Sequence, residues 1–143
     1  MSIQEEAGLI LKLYELRREE TMREARDWFF REFNPQTVAD YSAVLMGPHS
    51  GHLRMVVSYW DMAAAFVHRG AISLELFSDT NGEQVVVFAK IEPLLAEIRK
   101  SYGPGFAINL EKLIDAMPEG RKRVAGAREM MNAMRAQAAQ QGS

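Results

Sequence analysis

The chain has 143 residues, 48% of them apolar and 25% charged, with a net charge of −2. That length suits one domain around one core, and the composition lies far from the weakly hydrophobic, highly charged regime of disordered chains. There is no cysteine, which excludes disulfides, thiolate metal sites and cysteine nucleophiles, and the small net charge argues against a nucleic-acid footprint spread over the whole surface.

From Ile3 to Phe33 nothing breaks a helix except Gly8, and Glu19 with Arg23 and Asp27 with Arg31 stand four apart as helix-supporting pairs. The reading is one long helix. Its apolar residues fall at its two ends, with Arg17, Arg18, Glu19 and Glu20 forming a wet middle. Glu5 and Glu6 stand where an export signal has basic residues, and Lys12 and Glu15 interrupt the apolar stretch that such a signal needs, so no leader is expected.

Asn34-Pro35 stops that helix and starts another, because Asn caps and Pro tolerates the first helical position; this second helix is read as Pro35 to about Met46. After the loop from Gly47 to Gly51, Leu53 to His68 is apolar nearly all round and reads as the central, most buried helix, ended by Gly70 in a left-handed conformation. Residues 72–91 carry mixed signals. Alternation at Ile72, Leu74 and Leu76, the Asn81-Gly82 turn pair and the run Val85 to Phe88 permit a β-hairpin. Thr80 and Glu83 at capping-box spacing, followed by Val87, Ile91, Leu94, Leu95 and Ile98, favour helix through Arg99 with Pro93 as a kink. A short amphipathic helix is expected from Phe106 to Met117, and a last one from about Arg121 into an Ala/Gln-rich end that frays. In it Val124, Ala127, Met131, Met134 and Ala138 recur as the seam of a helix laid along another.

The fold class expected is therefore all-α: an irregular antiparallel bundle of six or seven helices in a single domain over residues 1–143, with α+β and a hairpin at 72–91 as the alternative. Trp28, Phe29, Trp60, Phe66, Phe88 and Leu94 are the candidate core. The longest apolar runs, such as Met62 to Val67, fall well short of the ~20 residues of a membrane span, so a cytoplasmic protein with no transmembrane segment is expected.

Few residues point to chemistry. Arg54, Ser58, Asp61 and His68 fall along one line of the central helix and make a polar face, but Asp61 and His68 stand about 10 Å apart along the axis, too far for a direct acid/base pair. His49 and His52 lack a third metal ligand nearby. Asp79, Asn81 and Gly82 fail as a calcium loop, because placing Gly82 at the sixth position puts Phe77 at the first and Phe88 at the twelfth. No phosphate-cradling glycine motif occurs, so no cofactor is expected. Arg121, Lys122 and Arg123 open a helix at the end where its dipole disfavours cations, which makes them candidate anion contacts unless Glu119 and a neighbouring acidic helix offset them.

Three stretches carry a family resemblance: Ser58-Tyr-Trp-Asp-Met-Ala-Ala-Ala-Phe-Val-His-Arg-Gly-Ala-Ile-Ser-Leu-Glu-Leu-Phe77, Ile91-Glu-Pro-Leu-Leu-Ala-Glu-Ile-Arg99 and Ile108-Asn-Leu-Glu-Lys-Leu-Ile114. Over about residues 20–117 the chain resembles an uncharacterised family of small bacterial helical proteins. The resemblance implies an all-helical reading of residues 72–101 and no particular activity. Some members carry an N-terminal membrane anchor, which this sequence does not show.

The function expected is a non-enzymatic protein-interaction or regulatory module that self-associates through its first or last helix, its partner being a second copy in a dimer or else another protein. Two other readings stand beside it. One is a small-molecule-binding protein or enzyme using the Arg54, Asp61 and His68 face; the other is an anion or nucleic-acid binder through Arg121 to Arg123.

Overall fold

The computed structural model describes residues 2–142, and among them the chain is all-α, with no strand. Helix α1 (Ile3–Arg18) opens on a capping box: the Ser2 hydroxyl accepts from the Glu5 amide and the Glu5 carboxylate from the Ser2 amide. The single long first helix expected from the sequence is in fact two. Glu19 turns extended, with ψ 145°, and its carboxylate accepts from the amides of Thr21 and Met22 to start α2 (Glu20–Arg31). Arg26 donates Nη1 to the Arg17 carbonyl at 3.3 Å, so the polar run read as a wet middle is a corner held by its own side chains.

Helix α3 (Val38–Leu45) begins three residues later than the Asn34-Pro35 signal suggested. Thr37 is its cap, paired in a capping box with Asp40, whose carboxylate also accepts from the Gln36 amide. Helix α4 (Ser50–His68) is the central rod, and it packs on α2 and α3. It buries Leu53, Val56, Val57, Tyr59, Trp60, Ala63 and Ala64. Gly70 follows at φ 83°, and the amides of Gly70 and Ala71 fold back to the carbonyls of Val67 and Phe66, as a left-handed helix end requires.

The region of mixed signals forms two helices and no hairpin. Ser73 caps α5 (Leu74–Thr80), and Asn81-Gly82 links it to α6 (Glu83–Ile91) in place of a hairpin turn. Thr80 plays no part in a capping box: its hydroxyl donates to the carbonyls of Leu76 and Phe77. Helix α6, rather than α4, is buried on nearly every side, with Gln84, Val85, Val87, Phe88, Ala89, Lys90 and Ile91 all inside. Complete burial overrides the strand preference of its valines. A 3₁₀ turn over Glu92–Leu94, with Pro93 within it, leads to α7 (Leu95–Tyr102).

Helices α8 (Ile108–Ala116) and α9 (Gly120–Gln141) complete the fold, α8 packing on α4 and α9 on α6. The division into nine α-helices among the described residues exceeds the six or seven expected, because corners at Glu19, Asn81 and Pro93 cut longer segments. The turn into α9 depends on Gly120. A Cβ there would stand 1.8 Å from the Ile114 carbonyl oxygen, closer than any side chain tolerates. Of the candidate core, Trp28, Phe29, Trp60, Phe88 and Leu94 are buried, while Phe66 is only partly covered.

Candidate binding groove beside the central helix

The polar line read on α4 divides into three fates. Asp61 is committed to the fold: its Oδ1 accepts from the amides of Asn109 (3.0 Å) and Leu110 (2.9 Å), and Oδ2 from the Asn109 side-chain amide (3.3 Å). Helix α8 needs this, because the residue before it, Ala107, sits at φ 54° with no side chain to cap the first turn. His68 lies at the exposed C-terminal end of α4, apart from the others. Arg54 and Ser58 remain. The Ser58 hydroxyl donates to the Met55 carbonyl at 3.4 Å, and Arg54 Nε reaches the Ser50 hydroxyl at 3.4 Å. The terminal guanidinium nitrogens of Arg54 have no ion pair among the described residues.

Arg54, Ser58 and Asp61 border a groove of about 510 Å³. Leu53 and Val57 of α4 form its floor, Tyr41 and Leu45 of α3 one wall, and Tyr102 and Phe106 the other. The aromatic walls meet edge to face: the Tyr41 ring lies 5.8 Å from both Tyr102 and Phe106. Tyr102 and Ser42 share a hydroxyl hydrogen bond of 2.7 Å at the rim. Burial, and then the neighbouring Tyr102, push the Tyr41 phenol above its ordinary pKa, so it remains a neutral hydroxyl. The volume lies in the range of roughly 300–1,000 Å³ typical of small-molecule sites, and the lining is mainly apolar with few polar groups.

Two further polar clusters hold helices together. Glu83, at the start of α6, takes a fork from Arg26 of α2 (Nε to Oε2 2.9 Å, Nη2 to Oε1 2.8 Å) and accepts from Trp60 Nε1 of α4 at 3.1 Å. Hydrogen bonding to the Glu83 carboxylate raises the Arg26 pKa despite burial. Arg121 is turned onto acids: Asp115 at 2.7 Å, Glu92 at 2.8 Å and Glu111 at 2.8 Å, with Arg99 sharing Glu111 and Arg128 sharing Glu92. The offset for a cation at this helix start is thus supplied by α8 and the 3₁₀ turn. Lys122 lies 3.9 Å from Glu119, and Arg123 is exposed. Hydrogen bonds from Arg121 depress Asp115 below the usual carboxylate range; at Glu111 burial opposes, yet the bonds from Arg121 and Arg99 prevail and its pKa is also lowered.

Sequence reasoning missed Lys90, the most buried cation. Its ammonium donates to the carbonyls of Phe29 (2.7 Å), Phe30 (3.2 Å) and Phe33 (2.6 Å), closing the end of α2, while desolvation lowers its pKa to about 8. A lysine on a helix otherwise buried all round was the available signal. His49 and His52 pack as rings against Trp28, at 5.1 and 6.0 Å. Among the described residues no three His, Cys, Asp or Glu side chains converge as metal ligands.

Fold and side-chain geometry together define a small all-α protein whose partly buried ion pairs link its helices and whose apolar surface groove carries one unpaired cation. More particularly, the chain belongs to the family described as a domain of unknown function, DUF4760, whose model matches residues 2–117. That span takes in α1 to α8, beginning ahead of the residues that carried the resemblance. Neither a curated protein nor a solved structure matches the chain significantly. No helix among the described residues is long and apolar enough to cross a membrane.

Proposed function

We propose that this protein is a non-enzymatic interaction module that pairs with a second copy of itself through the outer face of α1. The observation that carries the reading is a second apolar stripe on that helix. Ile3, Ala7, Leu11 and Tyr14 follow one another at steps of four, four and three and so share one side. Ile3 and Leu11 are 63% and 62% exposed, whereas Leu13, roughly a third of a turn round the helix from the middle of that stripe, is buried, with Leu9 and Ile10 packed against the core. One stripe serves the core; the other meets water.

Charge favours a like partner. Glu6 and Arg17 are engaged within the chain, at the Ser73 amide and at Asn81, but Glu5 and Arg18 leave the first turn of α1 acidic and the last basic, so two copies laid antiparallel set unlike ends together. The last helix is the weaker candidate, because Val124, Ala127 and Met131 of its seam already face the chain's own core, leaving Met130 and Met134 outside. Absence of enzymatic chemistry is supported by Asp61, whose carboxylate is consumed in capping α8.

Sedimentation velocity over the micromolar range should show a reversible monomer–dimer equilibrium. The double substitution Leu11→Glu with Tyr14→Glu should give a folded monomer whose thermal midpoint no longer depends on protein concentration, while Met134→Glu should leave the dimer intact. A wild-type chain monomeric at high micromolar concentration, or a dimer that survives the α1 substitutions, overturns the proposal.

A further inference from the structure

We infer that the groove between α3, α4 and the end of α7 binds a compact amphipathic carboxylate, an alkyl or aryl body ending in a single negative charge. The groove shares no residue with the outer face of α1, so the inference stands apart from self-association.

The body of the ligand follows from the lining. Leu45, Leu53 and Val57 supply branched aliphatic surface and Tyr41, Tyr102 and Phe106 supply rings, an assembly that gains from removing an alkyl or aryl group from water. The head group follows from the charges. Arg54 and Asp61 are the two charged residues on the lining, and they are not equivalent. Both Asp61 oxygens are occupied by the first turn of α8, which supplies three donors and the positive end of the helix dipole. Arg54 has no acid within ion-pair distance among the described residues, and its terminal nitrogens stand free at the groove's edge. The arginines at the helix interfaces are engaged within the chain: Arg26 with Glu83, Arg99 with Glu111, Arg121 and Arg128 with Glu92, and Arg17 with Asn81 and the Trp60 ring. The unspent charge of the groove is therefore positive, in the planar fork that matches a carboxylate. The hydroxyls of Tyr41 and Ser58 add polar contacts beside it.

The experiment is a two-dimensional NMR titration of the full chain with octanoate and, separately, with octan-1-ol as its neutral counterpart. Octanoate should saturate, with shifts concentrated at Tyr41, Leu45, Val57 and Phe106, and bind at least about tenfold more tightly than the alcohol, as a charge-assisted hydrogen bond to Arg54 requires. Arg54→Gln should bring octanoate to the affinity of octan-1-ol and leave the alcohol unchanged. Leu45→Trp should weaken both by filling the groove; should that variant fail to fold, the wild-type shift map still decides. Equal affinity for acid and alcohol, a preference that survives Arg54→Gln, shifts gathered outside the groove, or no saturation at millimolar ligand overturns the inference.

Discussion

Asp61 shows how one side chain can look catalytic and be structural. It lies on a polar line with an arginine, a serine and a histidine, yet its oxygens serve the backbone of another helix. The cause lies far along the chain, at Ala107, where a left-handed residue without a polar side chain leaves the start of α8 uncapped. Replacing Asp61 with Ala should destabilise the protein by about 1–2 kcal/mol, the usual cost of a lost helix cap. A lowered denaturant midpoint with faster amide exchange at Asn109 and Leu110 would show it; unchanged exchange at those two amides would contradict the role. Lys90 is a similar case, an ammonium that closes α2 from within α6. Both residues answer to the rule that helix ends must find partners, and both serve ends that are remote in sequence.

Between elements, the ionic network around Arg121 ties the 3₁₀ turn, α7, α8 and α9 together. Its pH response follows from the carboxylates. Asp115 and Glu111 have folded pKa values below their ordinary 3.8 and 4.5, so each contributes stability that is present above the unfolded value and lost as pH falls through the folded one. Unfolding free energy should therefore decline as pH is lowered from about 5 through 3, and Arg121→Met should flatten that decline. Denaturant titrations of the two proteins across this range supply the check, and an identical slope in both would count against the network. Elements also show where propensity yields to burial: Val85, Val86 and Val87 read as strand alone, but they sit in the helix with the most complete tertiary cover.

For the whole molecule, α9 is the instructive part, since it lies beyond the residues matched by the family yet covers the most buried helix. Val124 is fully buried, Arg128 donates to the Ala89 carbonyl at 3.0 Å, and Arg121 sits 5.2 Å from the Phe88 ring. A chain ending at Glu119 should lose at least about 10 °C of thermal midpoint, because an α6 face that is now dry would meet water. Circular dichroism melting measures this, and a truncated chain melting at the wild-type temperature would show that α9 is dispensable to the core.

Local patterns suffice for the all-α class, the central rod from Leu53 to His68, its left-handed stop at Gly70, and most of the large core side chains, since periodicity and glycine chemistry act over a few neighbouring residues. They also single out Arg54, Ser58 and Asp61, which do border the groove. Packing in three dimensions settles which of those three is already engaged, that Arg121 faces acids, and that Tyr41, Tyr102 and Phe106 line one groove with Arg54. It settles, too, where the first helix bends. The physical reason is the same in each case: partners distant along the chain, such as Asp61 with Asn109 or Arg26 with Glu83, leave no periodic trace in either segment, and only the assembled fold reveals who meets whom.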